Sequence, residues 1–440
     1  MIEVITPSSN HYNDARQQWN RSIDKCPAAI AYCKTFDDVK KAILFAKKNK
    51  FKLRVRSGGH NYEGFSIDDE VFVIDISNLN KIEINYENNT VTTEGGALFG
   101  QLYNFLGLNG YSFPGASSPT VGVAGSTLGG GWNYSCRYLG LSCDSLSEIK
   151  LLNYEGSLIT ANKNTNSDLF LALKGSGGGN FGIVVSLTFT LPPKVDLVTT
   201  FNIYYSNITK ANEIKFLDIW QHWITTTTDK VNMKASIANS TYDGSYIYCT
   251  GLLYGTPNEL MDILSPFMDI DGFSLTYENV SFLQATEIIG SFYNQYERFV
   301  SYSRFVSRKY SYDELSNLVD MINDPRPEGS QTTLLNLYGL GGKVSEINKS
   351  DTAFYYRDSI YIISLESNFE DNEYKDENSK WIYEKSNYIY NITIGSYINF
   401  PNYPVKNYLY EYYGDNYQSL QKIKKRYDPL NLFTFKQGIV

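Results

Sequence analysis

Residues 56–64 have the sequence RSGGHNYEG and come directly after the strand-like run Leu53-Arg54-Val55. The paired glycines let backbone N–H groups converge on one point, which suits an anionic phosphate better than any side chain does. A histidine, His60, follows the glycine pair at once. Taken alone, this stretch is also typical of a tight turn with a surface histidine, so the rest of the chain must decide between the two interpretations.

Two more glycine-rich stretches follow. Residues 114–131 have the sequence PGASSPTVGVAGSTLGGG, with five glycines in the ten residues from Gly122 to Gly131. Such small residues indicate backbone close to a large flat or highly charged group, and a nucleotide cofactor fits that description. Residues 175–182, GSGGGNFG, contain a GxGxxG spacing but follow a helical pattern and lead into a strand. Rossmann sites have the reverse order, so we exclude that type of dinucleotide fold.

The composition is that of a large globular protein. Of the 440 residues, 42% are hydrophobic and 20% are charged, which is enough apolar material for one large or two ordinary domains. The 39 Lys and Arg residues against 47 Asp and Glu residues give a net charge of −8, and the basic residues are scattered. Nucleic acid is therefore not an expected partner.

Cysteine and histidine are scarce. The five cysteines form no CxxC pair, and the three histidines are widely spaced, so we expect no disulfide framework, no metal site and no Ser-His-Asp triad. The first residues lack a basic segment followed by an apolar run, and no stretch approaches the roughly 18 apolar residues of a membrane helix. We expect a cytoplasmic protein with no membrane partner.

The patterning divides the chain into three parts. Residues 1–195 alternate short apolar strands with amphipathic helices, one of which Thr35 opens, and this part ends at Pro192-Pro193. Residues 196–399 are rich in tyrosine and combine long strand-like runs, such as 245–253, with helices. We predict an α+β domain with a mostly antiparallel sheet there. Residues 400–440 form a helix and a short apolar tail.

The three glycine loops, in this order, resemble those of the berberine-bridge-enzyme-like FAD-linked oxidases of the vanillyl-alcohol-oxidase superfamily. The resemblance extends over nearly the whole chain, and it rests on further motifs: Trp19-Asn20, Pro27-Ala28-Ala29-Ile30, Arg137 to Leu141 with Asp144, Asp168-Leu169-Phe170, Thr352 to Arg357, Tyr412 to Tyr417, and Tyr427 to Phe433 with Gln437. It implies a PCMH-type FAD-binding domain of two subdomains at 1–195, a substrate-binding domain at 196–399 whose sheet is covered by helices, and a segment at 400–440 that returns to the first domain.

The resemblance also implies how FAD is held. His60 occupies the position of the histidine that bonds covalently to the 8α carbon of the flavin ring. Ser118 stands where many relatives carry a cysteine that forms a second link, so we do not expect that link here. The other cofactor contacts that the resemblance implies are Arg56, Ser57, Gly58, Gly59, Asn61, Pro114, Gly115, Val121, Gly122, Gly125, Thr127, Leu128, Gly130, Gly182, Val184, Tyr413 and Asn416.

The catalytic base is less clear. Tyr62 matches a flavin-lining tyrosine, Tyr397 matches a segment near the substrate, and Ser364 falls at the usual base position. Glu366 is the nearest carboxylate on the same strand face by the period-2 rule, and a register shift by two would make it the base. A solvated carboxylate at a strand end is the alternative interpretation of Glu366.

The tyrosines admit two interpretations. Tyr134, Tyr338 and Tyr397 could form a stacking cleft for sugars or flat aromatic molecules, or the 37 tyrosines could reflect composition bias alone.

The resemblance implies an oxidase that removes hydride from an alcohol, sugar or amine C–H bond and passes the electrons to O2, and small Gly122 and Val123 favour an oxidase. A flavin-dependent dehydrogenase, a tailoring oxidase of a biosynthetic pathway and a non-redox binding protein on the same scaffold are the alternatives. The sequence leaves the oligomeric state open.

Overall fold

Three β-sheets follow one another along the chain in the computed structural model, which describes residues 2–440. The first sheet contains β1 (Glu3–Ile5), β2 (Ala29–Tyr32), β3 (Leu53–Arg56) and β4 (Phe72–Asp75), in the spatial order β1-β2-β4-β3. Strands β2, β4 and β3 are parallel, and their middle residues are buried. Strand β3 ends at Arg56, so the RSGGHNYEG loop leaves from the carboxyl end of a buried parallel strand.

The second sheet is antiparallel throughout. It contains β5 (Ile82–Asn85), β6 (Thr90–Glu94), β7 (Leu146–Leu152), β8 (Leu158–Asn162) and β9 (Ile183–Thr190), in the order β5-β6-β9-β7-β8. The third glycine loop lies between a helix that ends at Leu173 and strand β9. This order confirms that the GxGxxG spacing does not belong to a Rossmann unit.

The third sheet has seven strands, all paired antiparallel, as predicted for the tyrosine-rich part of the chain. It contains β10 (Val198–Ser206), β11 (Val231–Ser240), β12 (Gly244–Leu253), β13 (Ser274–Val280), β14 (Phe299–Val306), β15 (Ser330–Gly339) and β16 (Tyr361–Phe369). The spatial order is β13-β10-β12-β11-β15-β16-β14. The α+β fold class is confirmed.

Helices cover the sheets and connect them. They are α1 (Tyr12–Ala15), α2 (Phe36–Lys48), α3 (Phe99–Gly107), α4 (Val123–Leu128), α5 (Cys136–Leu139), α6 (Ser167–Leu173), α7 (Lys210–Thr226), α8 (Pro257–Met268), α9 (Phe282–Gly290), α10 (Tyr312–Asn323), α11 (Lys375–Ile392), α12 (Tyr408–Tyr413) and α13 (Tyr417–Tyr427). Single 3-10 turns occur at 142–145, 342–344, 372–374 and 414–416. Helix α2 begins with the predicted cap, because Thr35 accepts from the Asp38 N–H and the Asp38 carboxylate accepts from the Thr35 N–H.

The two faces of the seven-stranded sheet have different surroundings. One face carries apolar residues such as Ile203, Ile237 and Ile363, which pack in one core with helices α7, α8, α10 and α11. The other face carries Tyr338 and Ile362, which belong to a second core shared with the β5-to-β9 sheet and helices α3, α4 and α6. This shared core leaves a cleft where the polar part of that face meets the glycine loops.

The last residues pack on the first part of the chain. Helix α13 contacts α6, and the buried Lys424 ammonium donates to the carbonyls of Asn180 (2.7 Å) and Phe433 (2.6 Å) and to the Asp428 carboxylate (2.6 Å). The third glycine loop and the C-terminal tail are thereby joined through one side chain. Within residues 2–440, none of the helices combines the length and the apolar character that crossing a membrane requires.

Candidate active site

All three glycine loops open into one cleft. Its space, counted out to the mouth, is about 1790 Å³. The wall is formed by residues of the RSGGHNYEG loop, the 114–131 loop and the third glycine loop, together with Tyr293, Tyr338 and a C-terminal run, Phe433 to Phe435. The three glycine-rich stretches, each of which is an unspecific motif when taken alone, therefore belong to one site.

The glycines are needed where two loops approach each other. A Cβ added at Gly58 would lie 2.4 Å from the backbone nitrogen of Gly122, so neither loop could carry a side chain at that point. Gly125 is different, because a Cβ added there would meet no atom within 4 Å, and Gly178 lies beside it, with its own added Cβ 4.0 Å from the Gly125 Cα. This arm of the cleft is a backbone-lined channel with room for a flat or phosphorylated group.

His60 lies in the cleft wall directly after the glycine pair. Its ring stacks on Trp19, with 4.9 Å between ring centroids and 20° between planes, and its Nε2 lies 2.8 Å from Thr120 Oγ1. Burial lowers the pKa of His60 to about 4, so the imidazole is neutral at neutral pH. A neutral, oriented imidazole retains one nitrogen lone pair and can act as a nucleophile.

Aromatic rings form the other arm of the cleft. Tyr62 stacks on Phe400 with 5.2 Å between centroids, and Tyr338 contacts both Phe400 and Trp132. Tyr134 packs behind, against Trp132. The structure thus supports a stacking cleft for Tyr338. Many other tyrosines are distributed through the two hydrophobic cores.

Tyr397 lines the cleft with its ring but not with a free hydroxyl. Its Oη accepts hydrogen bonds from the backbone N–H groups of Gly131 (3.1 Å) and Trp132 (2.9 Å) and from the Asn399 amide (3.1 Å). Burial raises the pKa of Tyr397 despite these donors. The phenol is therefore committed to holding the glycine-rich loop in place.

Glu366 is close enough to two of these tyrosines, Tyr62 and Tyr338, to act on them electrostatically, although like Ser364 it does not itself line the cleft. It is 9% exposed, and burial together with the nearby Glu297 carboxylate raises the pKa of Glu366 to about 7. Its charge in turn raises the pKa values of Tyr62 and Tyr338, which both line the cleft. The alternative of a solvated carboxylate at a strand end is wrong, because β14 and β15 flank Glu366 on both sides.

Ser364 is enclosed more completely. It is 2% exposed, lies opposite Ser303 on β14 and Asn336 on β15, and does not line the cleft. A serine hydroxyl without a basic neighbour does not accept a proton near neutral pH. Between the two strand positions that the sequence left open, Glu366 has the chemistry of a base.

Most of the predicted site residues come together in this cleft. Those that line it are Ser57, Gly58, Gly59, His60, Asn61, Tyr62, Ser118, Val121, Gly122, Gly125, Leu128, Gly182, Val184 and Tyr397.

Four residues near the glycine loops that were predicted to contact the cofactor lie outside the cleft lining. The Arg56 guanidinium is buried away from the cleft, where it donates to the Asp75 carboxylate and to the Ala15 carbonyl. Pro114 and Gly115 lie outside the lining, because the Pro114 carbonyl accepts from Ser142 and Gly115 packs against Phe99. The Thr127 side chain is fully buried on the inner face of α4.

Three more predicted contacts lie behind the wall or on the far side of it. Gly130, with a φ of +112°, packs against Phe354 rather than the cleft. Tyr413 is buried and donates to the Ser176 carbonyl at 2.8 Å, so it supports the third glycine loop from behind. Asn416 donates to the carbonyls of Lys349 (2.7 Å) and Thr352 (3.1 Å), remote from the lining.

Several lining or neighbouring residues were not identified from the sequence. Trp19, Thr120 and Phe433 lay within quoted motifs but had no assigned role, and the hydrogen bond and ring stacking that involve them arise from tertiary contacts. Glu297 and Tyr293 come from the loop before β14, for which the sequence carried no signal.

Comparisons with known proteins agree with this site. The family model for an FAD binding domain matches residues 27–162, and the model for berberine and berberine-like proteins matches residues 396–440. An uncharacterized FAD-linked oxidoreductase of Bacillus subtilis, YgaK, is 31% identical over 442 residues, which cover 99% of this chain and 96% of that protein.

Solved structures share the fold over the whole chain. Physcomitrella patens BBE-like 1 is 25% identical with a TM-score of 0.91, covering 100% of this chain and 97% of that one. The glucooligosaccharide oxidase of Acremonium strictum, whose structure is described as revealing a novel flavinylation, is 21% identical with a TM-score of 0.91, covering 100% and 96%.

Proposed function

The chain belongs to the berberine-bridge-enzyme-like family of FAD-linked oxidoreductases, and on that premise we propose that it is an oxidase whose FAD is attached covalently through His60. Its substrate is a sugar, another alcohol or an amine, which loses hydride from a C–H bond, and O2 takes up the electrons. Membership of an FAD-linked oxidoreductase family removes the alternative of a non-redox binding protein.

One observation carries the proposal. His60 lines the same cleft as Gly125 and Gly178 of the glycine loops and as the stacked rings of Tyr62 and Phe400. A cofactor tethered there would extend along the channel while its reactive ring faced the aromatic arm.

The residues present fit FAD. The open space at Gly125 and Gly178 and the backbone N–H groups of Ser57, Gly58 and Gly59 suit a pyrophosphate and a ribityl chain. Gly182 and Val184 line the far part of the channel, where we place the adenine. When bound, FAD supplies a hydride acceptor at N5 of its ring.

The chain's own groups then have distinct tasks. We assign the role of base to Glu366, which at a pKa of about 7 is partly ionised at neutral pH and can accept the proton of a substrate hydroxyl or amine. Tyr62, Tyr338 and Trp132 provide flat apolar faces that orient the substrate and exclude water. Burial and the Glu366 charge hold the pKa of Tyr62 well above its usual value, so Tyr62 remains a neutral phenol.

Sugars are the first class to test. Aromatic faces combined with carboxylates match the apolar and polar sides of a pyranose ring. The glucooligosaccharide oxidase acts on a sugar by its name, but it shares only the fold with this chain. Amines are the second class, because Glu366 and Glu297 together would attract a cation.

The test is anaerobic mixing of the purified protein with panels of sugars, primary alcohols and amines while the visible flavin absorbance is followed. We expect one class to bleach the flavin and, in air, to release peroxide in proportion to the substrate consumed. Bleaching by no member of the three panels would contradict the proposed substrate classes. Rapid bleaching followed by slow recovery in air would instead identify a dehydrogenase that uses another acceptor.

A further inference from the structure

A short chain of hydroxyl groups leads away from His60. Its Nε2 lies 2.8 Å from Thr120 Oγ1, and Thr120 Oγ1 lies 3.2 Å from Ser118 Oγ. Ser118 is buried in the cleft wall, whereas Thr120 is exposed in the turn that follows it. The chain therefore connects the imidazole edge with bulk water.

The two ring nitrogens of His60 differ in their hydrogen bonding. Among residues 2–440, Nδ1 has no hydrogen-bond partner, while Nε2 is engaged by Thr120. The Trp19 ring stacks on the imidazole and fixes its plane, and the Thr120 contact fixes which ring edge carries Nε2. A neutral imidazole has one N–H donor and one lone pair, and a donor at Nε2 leaves the lone pair at Nδ1.

We propose that Thr120 is a positioning residue for the attachment of the cofactor to His60. Its hydroxyl holds the imidazole with the proton on Nε2, so that Nδ1 is the nucleophile. It then relays that proton to Ser118 or to water as Nδ1 forms its bond. The inference rests on the proposed covalent link at His60 and names the residues that make this link form.

The atoms and electrons of the attachment balance with O2 as the oxidant. One C–H bond of the 8α methyl group and the Nε2–H bond are lost, and one bond between Nδ1 and the 8α carbon forms. Two electrons and two protons pass to O2, which leaves as hydrogen peroxide. The Nε2 proton must depart because a doubly substituted, protonated imidazole would be a cation in a half-buried site, and Thr120 is the contact through which it can leave.

The surroundings of the imidazole agree with this role. Burial keeps His60 neutral before attachment, and Thr120 is the hydrogen-bond partner of its ring among the described residues. Thr120 does not line the cleft, so its hydroxyl serves the histidine and not the cofactor. Ser118 lies in the lining, and its hydroxyl group forms a hydrogen bond with the Thr120 hydroxyl.

The experiment compares attachment rates in the full chain and its Thr120→Val, Thr120→Ser, Ser118→Ala and His60→Ala variants. Each protein is produced without flavin in riboflavin-starved cells and is then incubated in air with excess FAD, and samples are precipitated with acid at intervals to measure the flavin that stays with the protein. Binding of FAD without attachment is measured in parallel from the quenching of flavin fluorescence.

We expect Thr120→Val, which keeps the shape but removes the hydroxyl, to bind FAD as the wild type does but to attach it about tenfold more slowly, the effect of losing one hydrogen bond to an ionising group. Thr120→Ser should restore the wild-type rate. Ser118→Ala should slow attachment only about twofold, because the exposed Thr120 can still pass its proton to water.

The other outcomes are distinguishable. Attachment in Thr120→Val at the wild-type rate would overturn the inference, and so would an equal loss in Thr120→Val and Thr120→Ser, which would indicate a structural role. If the wild type and His60→Ala retained the same amount of flavin after acid, the proposed link at His60 would itself be wrong. In that case the failure would lie in the proposed function and not in the relay.

Discussion

At the scale of single residues, Glu366 acquires its chemistry from distant parts of the chain. The two-residue repeat of β16 determines its side of the sheet, but its burial comes from β14 and β15 and part of its raised pKa from the Glu297 carboxylate. Lys234 opposes this effect and keeps the pKa near neutrality rather than higher. Glu366 is thus poised to change its charge in the range where a general base is useful.

Replacement of Glu366 tests its assignment as the base. The carboxylate accepts a proton only when ionised, so the rate of flavin reduction in the wild type should rise with pH and level off above about 7. Glu366→Gln should reduce that rate by about 10²–10³-fold and remove the rise with pH, as expected for the loss of a general base. Stopped-flow reduction across the pH range, with Ser364→Ala as the control on the same strand face, is the measurement.

If the Glu366→Gln variant still reduced its flavin rapidly, with a rate that depends on pH, another group would be the one that accepts the proton. A large loss of the flavin reduction rate in Ser364→Ala would instead assign the role of base to Ser364, the position that the family resemblance favoured.

The local sequence predicts the strand face or loop in which a residue lies better than it predicts the tertiary contacts of that residue. The face shared by Ser364 and Glu366 follows from strand geometry alone, and the loop position of His60 follows from the glycine pair before it. The commitment of the Tyr397 hydroxyl to the Gly131 and Trp132 N–H groups depends on the docking of the C-terminal segment against the 114–131 loop. No local pattern carries that information.

At the scale of elements, helix α4 is the clearest link between sequence and site. Its buried side, with Val123, Ala124, Thr127 and Leu128, packs into the core. Gly125 is exposed toward the cleft, which Ala124 and Leu128 also line in part, so the surface of the helix is a wall of the channel. The helix is therefore built from small residues so that a ligand can lie directly on its backbone.

A side chain at Gly125 should block the channel without unfolding the protein. Gly125→Leu replaces a poor helix former with a good one and meets no protein atom within 4 Å of its Cβ, so the free energy of unfolding should not fall. FAD binding should weaken at least about 100-fold, since the added side chain takes space that the cofactor needs. Flavin content after purification and chemical denaturation are the two measurements.

Gly115→Ala gives the opposite control. Its Cβ would lie 2.4 Å from the Phe99 ring, so this variant should lose stability although Gly115 does not line the channel. Normal flavin content in Gly125→Leu would show that the cofactor lies elsewhere.

The elements themselves were largely predictable. Helix α2 and its cap, the antiparallel strands of the third sheet and helix α13 were all expected from hydrophobic periodicity and capping residues. Arg56, at the end of β3, was misassigned for a physical reason. Its neighbours Ser57 and Gly58 line the cleft, but the Arg56 guanidinium donates to the buried Asp75 carboxylate and so lies away from the cleft.

At the scale of the whole molecule, the C-terminal residues complete the cleft. Phe433 to Phe435 form part of its wall, and Lys424 ties that run to the third glycine loop by donating to the carbonyls of Phe433 and Asn180. Burial lowers the pKa of Lys424, and the Asp428 carboxylate opposes that effect. The C-terminal segment is thus joined to the third glycine loop through a buried ammonium group that also pairs with Asp428.

Loss of the Lys424 ammonium should destabilise the protein strongly. Lys424→Met leaves the Asp428 carboxylate buried without its counter-charge, which costs about 3–5 kcal/mol in comparable buried pairs. Arg426→Ala, on the same helix, removes an exposed pair with Asp168 and should cost less than about 1 kcal/mol. Denaturant unfolding of both variants is the measurement, and equal costs would contradict the distinction.

The architecture of the whole molecule was predicted by resemblance and not by pattern alone. The order of three glycine loops and the C-terminal motif is specific in combination, although each part is weak. The assignments of Tyr413 and Asn416 to the flavin rest on position in the family pattern alone, and in this structure both side chains bond to backbone carbonyls outside the cleft lining.

The most direct test of the account is the visible spectrum of the purified protein before and after acid precipitation, beside His60→Ala treated in the same way. If the flavin is linked to His60, the wild type gives a yellow precipitate, whereas the His60→Ala variant gives a colourless precipitate and a yellow supernatant. Yellow released equally from both proteins would leave a bound flavin without the tether. A colourless wild type that takes up no added FAD would contradict the account as a whole.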